Sequence, residues 1–384
     1  MTLKTDRGTF VPNATFTTPV LFLTFNRPDT TQQVFSRIRQ AQPPRLYVAG
    51  DGPRPEQSNE AEICEIVRSI ATNVDWDCEV KTLFRDQNLG CRLAVSQAIT
   101  WFFENEPEGI ILEDDCLPSQ SFFQFCQELL EEFRYDKQVG AICGFYSNEL
   151  DYKPSASYFF SRYLRVWGWA GWRRSLEGYD SNLKNQMEKN NTWKSNVFNR
   201  TDVLPIKYFQ KAFEAVANGE IDTWDTQLQY LLWQKKQRVI VSSSNMIKNI
   251  GWRQGAHTHD KDHNHELRTS EIQFPLTRPE TEDRDLKADR IIERKSYRIT
   301  ILSFLKMSRK ESYSKMIACP VKVFSGFAKN CWKISGTTNK LEQFADFTQT
   351  NWITNQALHT FFQDTCVFGD GLGGDAHLRS MIRI

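Results

Sequence analysis

Three carboxylates stand side by side at Glu113-Asp114-Asp115, directly after the apolar run Ile110-Ile111-Leu112. Like charges this close raise one another's pKa and cost stability, so the triplet needs a compensating use. Three uses compete. The acids could sit in a solvated turn and cap the helix that opens near Ser119, although Ser119 and Ser121 already meet that need and one acid would suffice. They could do paired acid–base work, as in glycoside hydrolysis, but neighbours on a strand end point in opposite directions and rarely share one substrate bond. They could help hold a hard divalent cation, Mg2+ or Mn2+, which takes oxygen ligands, keeps several waters and is completed by substrate phosphates. The last use favours a nucleotide-diphosphate ligand, and it is the setting of the triplet that supports it.

That setting is a series of strand–turn–helix units. Val20 to Phe25 is an apolar run too short for a free-standing helix, so it reads as a buried parallel strand ending at Asn26-Arg27-Pro28. Asp29-Thr30-Thr31 supplies an N-cap, and Val34, Phe35 and Ile38 share one face of the helix that follows. Leu46 to Ala49 repeats the strand, closed by a Gly-Asp-Gly turn at Asp51. A Glu-rich helix, the strand CEVKTLFRD, a turn at Asn88-Leu89-Gly90, the helix CRLAVSQAITWFFEN, the strand GIILEDD, the helix SQSFFQFCQELLEEFR and the strand VGAICGF complete the series. This alternation predicts an α/β fold with a mostly parallel central sheet flanked by helices. Ligands of such sheets bind outside the carboxyl ends of the strands. Asn26-Arg27, Asp51, Arg85-Asp86 and the acidic triplet all fall at those ends.

Beyond Phe145 the alternation stops. A Trp- and Gly-dense segment (WGWAGW), a helix in GEIDTWDTQLQYLLWQ, a strand RVIVSS and a glycine-punctuated, histidine-rich loop (NIGWRQGAHTHDKDHNHE) follow. His257, His259, His263 and His265 form two HxH pairs, which on a loop lack the helical i, i+4 spacing of a zinc site. A charged boundary lies at about 277–289, and basic residues recur from Arg294 to Lys333 among aromatic ones. That stretch reads either as a membrane-surface patch or as a solvated helical face over the core.

Composition sets outer limits. The 384 residues are 40% hydrophobic and 25% charged with a formal net charge of +1, which suits a chain with a packed core and argues against nucleic acid as a partner. Nine scattered cysteines without a CxxC pair argue against a zinc ribbon or a disulfide scaffold. With neither a signal peptide at the N-terminus nor a membrane-length apolar run, a cytoplasmic protein is expected, or one peripheral on the inner face of the membrane.

TFNRP, the Asp-Gly turn after the second strand, RDQNLGC and ILEDDCLPS resemble the nucleotide-sugar-binding half of GT-A glycosyltransferases. The closer likeness is to bacterial nucleotide-diphospho-sugar transferases, the more distant to Golgi N-acetylglucosaminyltransferases that carry an EDD triplet. WGWAGW, WDTQ and NIGWRQGAHTH are similar to that group's acceptor half, so the resemblance runs from Pro19 to His259. It implies a GT-A domain over 19–275, split into a donor half (19–145) and an acceptor half (146–275). An N-terminal extension (1–18) precedes it, and a basic C-terminal extension (290–384), read as helical, follows.

The resemblance also assigns roles. Asp115 would ligate Mn2+ or Mg2+, with Asp114 near the ribose or the metal waters and Glu113 near the nucleotide. Asn26, Arg27 and Asp51 would hold the nucleoside of a UDP- or GDP-linked donor, and Arg85, unless it only pairs with Asp86, would neutralise pyrophosphate. His257 or His259 would sit over the diphosphate or complete the metal site. Trp167 and Trp169 would stack on the acceptor, a glycan or lipid-linked sugar, or else be core aromatics. If the reaction inverts the anomeric carbon, an acceptor hydroxyl must lose its proton to a base. Asp225 fits that position, with Asp222 read as a helix cap. The expected activity is hexosyl or N-acetylhexosaminyl transfer in surface glycan or lipopolysaccharide synthesis. A sugar-nucleotidyltransferase, or a non-enzymatic carbohydrate-binding, adhesin-like protein, is the alternative.

Overall fold

The structure, a computed structural model, describes residues 15–147, 152–189, 191–251 and 268–300. The apolar runs of the first half become β1 (Val20–Thr24), β2 (Arg45–Gly50), β3 (Glu79–Phe84) and β4 (Glu108–Glu113). They alternate with α1 (Pro28–Ala41), α2 (Glu60–Thr72) and α3 (Gly90–Asn105). A three-residue strand β5 (Cys116–Pro118), α4 (Ser121–Glu132), β6 (Val139–Cys143), β7 (Tyr158–Ser161) and β8 (Trp169–Trp172) come next. The short helices α5 (Arg173–Leu176), α6 (Leu183–Lys189) and α7 (Trp193–Val197) lead to α8 (Val203–Ala217) and α9 (Asp225–Gln234). The described chain ends with β9 (Arg238–Ser242), β10 (Ile247–Asn249) and α10 (Leu286–Lys295).

Eight strands form one sheet in the order β3-β2-β1-β4-β8-β6-β9-β7. β1 pairs parallel with β2 and β4, β2 with β3, and β6 with β9. β8 runs antiparallel between β4 and β6, and β7 antiparallel on the outer edge of β9. The protein is thus mixed α/β with a large, mostly parallel central sheet flanked by helices. Val20, Phe22, Ile110 and Leu112 are fully buried, as strands covered on both faces must be. Each such side chain contributes roughly 1.5–3 kcal/mol relative to an exposed one. The Trp-rich segment is a sheet strand: Gly171 lies opposite Gly109 in the β4–β8 ladder. A Cβ on Gly109 would come within 2.3 Å of the Phe102 ring, so α3 packs under β4 only over a glycine.

Registers decide what reaches the rim. Leu23 lies opposite Glu113, Thr24 opposite Gly50, and Gly50 opposite Phe84. The residues that follow these strands, Asn26-Arg27, Asp51, Arg85 and the acidic triplet, therefore leave the sheet at one end.

Local capping differs from the sequence expectation in three places. α1 starts at Pro28 rather than after Asp29-Thr30-Thr31. Proline has no N–H to satisfy and its fixed φ suits the first helical position, while Thr30 and Thr31 donate their hydroxyls back to the Arg27 carbonyl. The first turn of α4 is capped by Glu271, which accepts from the N–H groups of Gln120 (3.2 Å) and Ser121 (2.7 Å), and not by Ser119 or Ser121. Asp222 does not cap α9; its Oδ2 takes the Arg92 N–H at 3.5 Å, in the first turn of α3.

The compact unit runs on to Arg298, past the expected limit at 275. Arg284 bridges to Phe160 on β7, and Asp289 in α10 accepts from the Ser161 hydroxyl (2.6 Å) and the Arg162 N–H (3.2 Å). Buried Arg162 also pairs with Asp202 and Glu293, so ion pairs from Asp289 and Glu293 hold α10 to the sheet edge. Among the described residues no helix is long and apolar enough to cross a membrane, and the cysteines Cys64, Cys78, Cys91, Cys116, Cys126 and Cys143 are free.

Candidate functional site

The three acids of the triplet face three different surroundings. Asp114 turns back onto β1, where its Oδ2 accepts the Phe25 N–H at 3.1 Å and its Oδ1 lies 3.4 Å from Arg27 Nη1. Burial pushes its carboxyl up to about 7; Arg27 and the Phe25 N–H oppose that rise and the charge of Asp115 adds to it. Asp115 points to the rim, its Oδ2 2.7 Å from Arg27 Nη1. Glu113 is pushed well above the usual carboxylate range by burial, then by the charges of Asp115, Asp114 and Asp225, against Arg27.

A small antiparallel ladder aims Asp115. β5 pairs with β10, Cys116 opposite Asn249, and the Asp115 carbonyl accepts the Ile250 N–H at 2.8 Å. The Asn249 side chain holds the Gly251 N–H at 3.0 Å. Gly251 is thereby in contact with Asp115; His257 and His259 lie outside the described residues.

At the end of β2, Asp51 accepts from four groups: the N–H of Gly52 (2.9 Å), Leu89 (3.0 Å) and Gly90 (3.2 Å), and Asn88 Nδ2 (2.9 Å). It fastens the turn that starts α3 to the end of β2. Asn26 Nδ2 donates to Glu60 Oε1 at 2.7 Å, and Glu60 also binds the Arg54 guanidinium and N–H. Arg54 in turn lies over the Phe25 ring at 5.6 Å. Glu60 and Arg54 were not singled out in the sequence; Glu60 was hidden among the exposed acids of a Glu-rich helix, and only Arg54 six residues earlier hints at it. Arg85 is half-buried beyond β3, its N–H bonded to the Gly50 carbonyl at 3.0 Å. Among the described residues it forms no ion pair with Asp86.

No family model matches the chain, and no curated protein does. Among solved structures, UDP-glucose pyrophosphorylase, both apo and complexed with UDP-glucose, is similar with a TM-score of 0.30 and 9% identity, over 59% of this chain and 90% of that one. A likeness of that size does not decide function, which has to be read from the rim itself.

The segment that leads into α9 meets the start of α3, where Asp222 lies against Gly90 and Arg92. Asp225, the first residue of α9, accepts from the Thr226 N–H (2.8 Å) and the Thr223 hydroxyl through Oδ1. Among the described residues its Oδ2 takes no hydrogen bond. Behind it, Trp224 stacks on Trp169 (6.1 Å, 25° between planes) and its carbonyl accepts the Tyr179 phenol at 2.9 Å. Cys91 lies in the first turn of α3. Burial, then the charges of Glu113, Asp225, Asp222 and Asp51, pushes its thiol up to about 12. Carboxylates distant in sequence thus converge on one place.

Trp169 is 2% exposed, so its ring belongs to the core and offers no face to a sugar; an aromatic-rich motif alone does not tell a stacking platform from a packed strand. Trp167 is half-buried and edge-on to Phe145 at 4.6 Å, with the Arg165 guanidinium 4.9 Å from the same ring. For a metal, no three His, Cys, Asp or Glu side chains converge as a cage among the described residues. Asp115 offers a carboxylate of hard oxygen donors at the end of β4, 16% exposed. That fits a cation completed by phosphates and water and does not fit an all-protein cage.

Proposed function

We propose that this rim binds a nucleotide-diphospho-sugar and that the protein, of GT-A type, transfers its sugar to an acceptor hydroxyl. The observation that carries the reading is the placing of Asp115 at the end of β4, its carboxylate 2.7 Å from Arg27 Nη1 and against Gly251. Asp225, at the start of α9, acts through its charge on Glu113, and among the described residues its Oδ2 takes no hydrogen bond, which suits the separate roles of a base and a donor-phosphate site.

In this reading Asp115, with His259, holds Mn2+ or Mg2+, which when bound stabilises the charge of the departing diphosphate. Arg27 and Arg85 meet the remaining phosphate charge, Arg27 with the two-pronged geometry guanidinium offers to phosphate. Asn26, Glu113 and Asp114 shape the nucleoside end, and His257 lies over the diphosphate. Asp51 acts by fixing the Asn88-Leu89-Gly90 turn beneath the donor. Asp225 Oδ2 takes the proton of the acceptor hydroxyl as that oxygen attacks the anomeric carbon, giving inversion. Trp167, beside Arg165, is the aromatic left for the acceptor, a glycan or lipid-linked sugar in surface glycan or lipopolysaccharide synthesis. This reading takes the protein to be cytoplasmic and the basic stretch 294–333 to be what meets the inner membrane face.

The test is product analysis. Incubation with UDP- and GDP-sugars, Mn2+ and a panel of glycan acceptors should release nucleoside diphosphate with a new β- or α-linkage opposite to that of the donor. Formation of nucleoside triphosphate from pyrophosphate and the same donors would instead identify a sugar-nucleotidyltransferase.

A further inference from the structure

Arg27 sits where an entering cation would be opposed. Its Nη1 donates to Asp115 Oδ2 at 2.7 Å and lies 3.4 Å from Asp114 Oδ1. The guanidinium is largely shielded, its side chain 19% exposed and that of Asp115 16%, so the pair is screened much less than a surface one. A guanidinium stays cationic throughout, and this one stands between the Asp114 and Asp115 carboxylates. A divalent ion approaching Asp115 alone would therefore have to break a charge-assisted hydrogen bond and stand beside a positive charge.

A diphosphate changes that balance. Phosphate oxygens are as good an acceptor for the guanidinium fork as a carboxylate, and a nucleotide on this rim brings them to the residue that follows β1. We infer that Arg27 is a built-in counter-ion that closes Asp115 until a diphosphate draws the guanidinium away, so that free cation is excluded and cation and nucleotide bind as a linked pair. The inference rests on the metal-and-diphosphate reading above. Arg27 is a positioning residue in this role, acting on the cation through Asp115. Linkage is reciprocal: whatever the nucleotide does for the cation, the cation does for the nucleotide.

The test is direct titration of Mn2+, by electron paramagnetic resonance and calorimetry, into wild type, Arg27→Ala and Arg27→Lys, each with and without UDP or GDP. Some coupling follows merely from the diphosphate ligating the ion, so the variants isolate the guanidinium's share. Without nucleotide, Arg27→Ala should bind Mn2+ about tenfold tighter than wild type, the worth of one charge-assisted hydrogen bond. Its remaining enhancement by UDP or GDP should shrink by a like factor, and Arg27→Lys, which keeps the charge, should stay near wild type. If Arg27→Ala binds free Mn2+ no tighter while nucleotide-dependent Mn2+ binding is intact and lost in Asp115→Ala, the inference fails and the metal reading stands. Wild type binding free Mn2+ as tightly as it does with either nucleotide overturns the inference without any variant. Absence of Mn2+ binding in wild type with both nucleotides overturns the inference and the metal reading together.

Discussion

Gly251 lies against Asp115 so closely that a Cβ built on it would come within 2.3 Å of Oδ2 and 2.8 Å of Cβ of the aspartate. The contact is made by backbone pairing, because the Ile250 N–H is fixed on the Asp115 carbonyl. Gly251→Ala should therefore push the Asp115 side chain off its position while leaving the sheet intact. The expected result is at least a tenfold loss of Mn2+-dependent nucleotide binding, about 1.4 kcal/mol, with an unchanged thermal midpoint. Nucleotide binding equal to wild type would mean that the Asp115 carboxylate has no fixed role.

Asp225 has a narrower job. Removing its charge with Asp225→Asn keeps an acceptor oxygen for the Thr226 N–H, so α9 should still start in place. Transfer should fall by about 10²–10⁴, the usual worth of a positioned general base. Donor affinity should change little. A variant that keeps wild-type turnover, or a product with retained anomeric configuration, removes the case for this base.

Asp51 makes a stability prediction independent of any ligand. Its carboxylate accepts three backbone N–H groups and one side-chain amide, so Asp51→Ala leaves several half-buried donors without partners. Unfolding in urea should show a loss of about 1–3 kcal/mol, the cost of leaving such a donor unsatisfied. No loss in the absence of nucleotide would assign Asp51 to ligand binding alone.

Glu128, on α4 and away from the rim, carries a pH signature. Burial, joined by the charge of Glu132 and opposed by the Gln124 amide, raises its carboxyl from 4.5 to about 7 in the fold. The folded state then binds more protons than the unfolded chain between those values, so this group's contribution to stability is full below pH 4.5 and is lost as pH rises through 7. Glu128→Gln does not titrate. Its stability relative to wild type should rise from pH 5 to pH 8, read as a growing difference in urea midpoint; a difference flat across that range contradicts the assignment.

Much of the fold was legible because burial on both faces leaves uninterrupted apolar runs. The segments around Phe22, Val48 and Leu112 could be strands of little else, and parallel pairing follows from the helices between them. The rim was legible for the same reason: strand ends in a parallel sheet share one side. What sequence could not supply was contact at long range. Glu271 caps a helix whose first turn lies 150 residues earlier, and Asp222 serves α3 rather than the helix it precedes. Trp169 reads either as a ring that stacks on an acceptor or as a core aromatic until β8 is seen threaded between β4 and β6. The action of the Asp225 charge on Glu113 belongs to the same class, set by a strand end and a helix that no local pattern connects.

The most direct test of the central claim is calorimetric binding of UDP- and GDP-sugars to wild type and Asp115→Ala, each with and without Mn2+. Wild type should bind at least one donor in a Mn2+-dependent manner, and Asp115→Ala should lose that dependence while remaining folded. If Asp115→Ala binds the same donor with the same Mn2+ dependence as wild type, the cation and diphosphate do not meet at this strand end, and the function proposed for the rim is wrong.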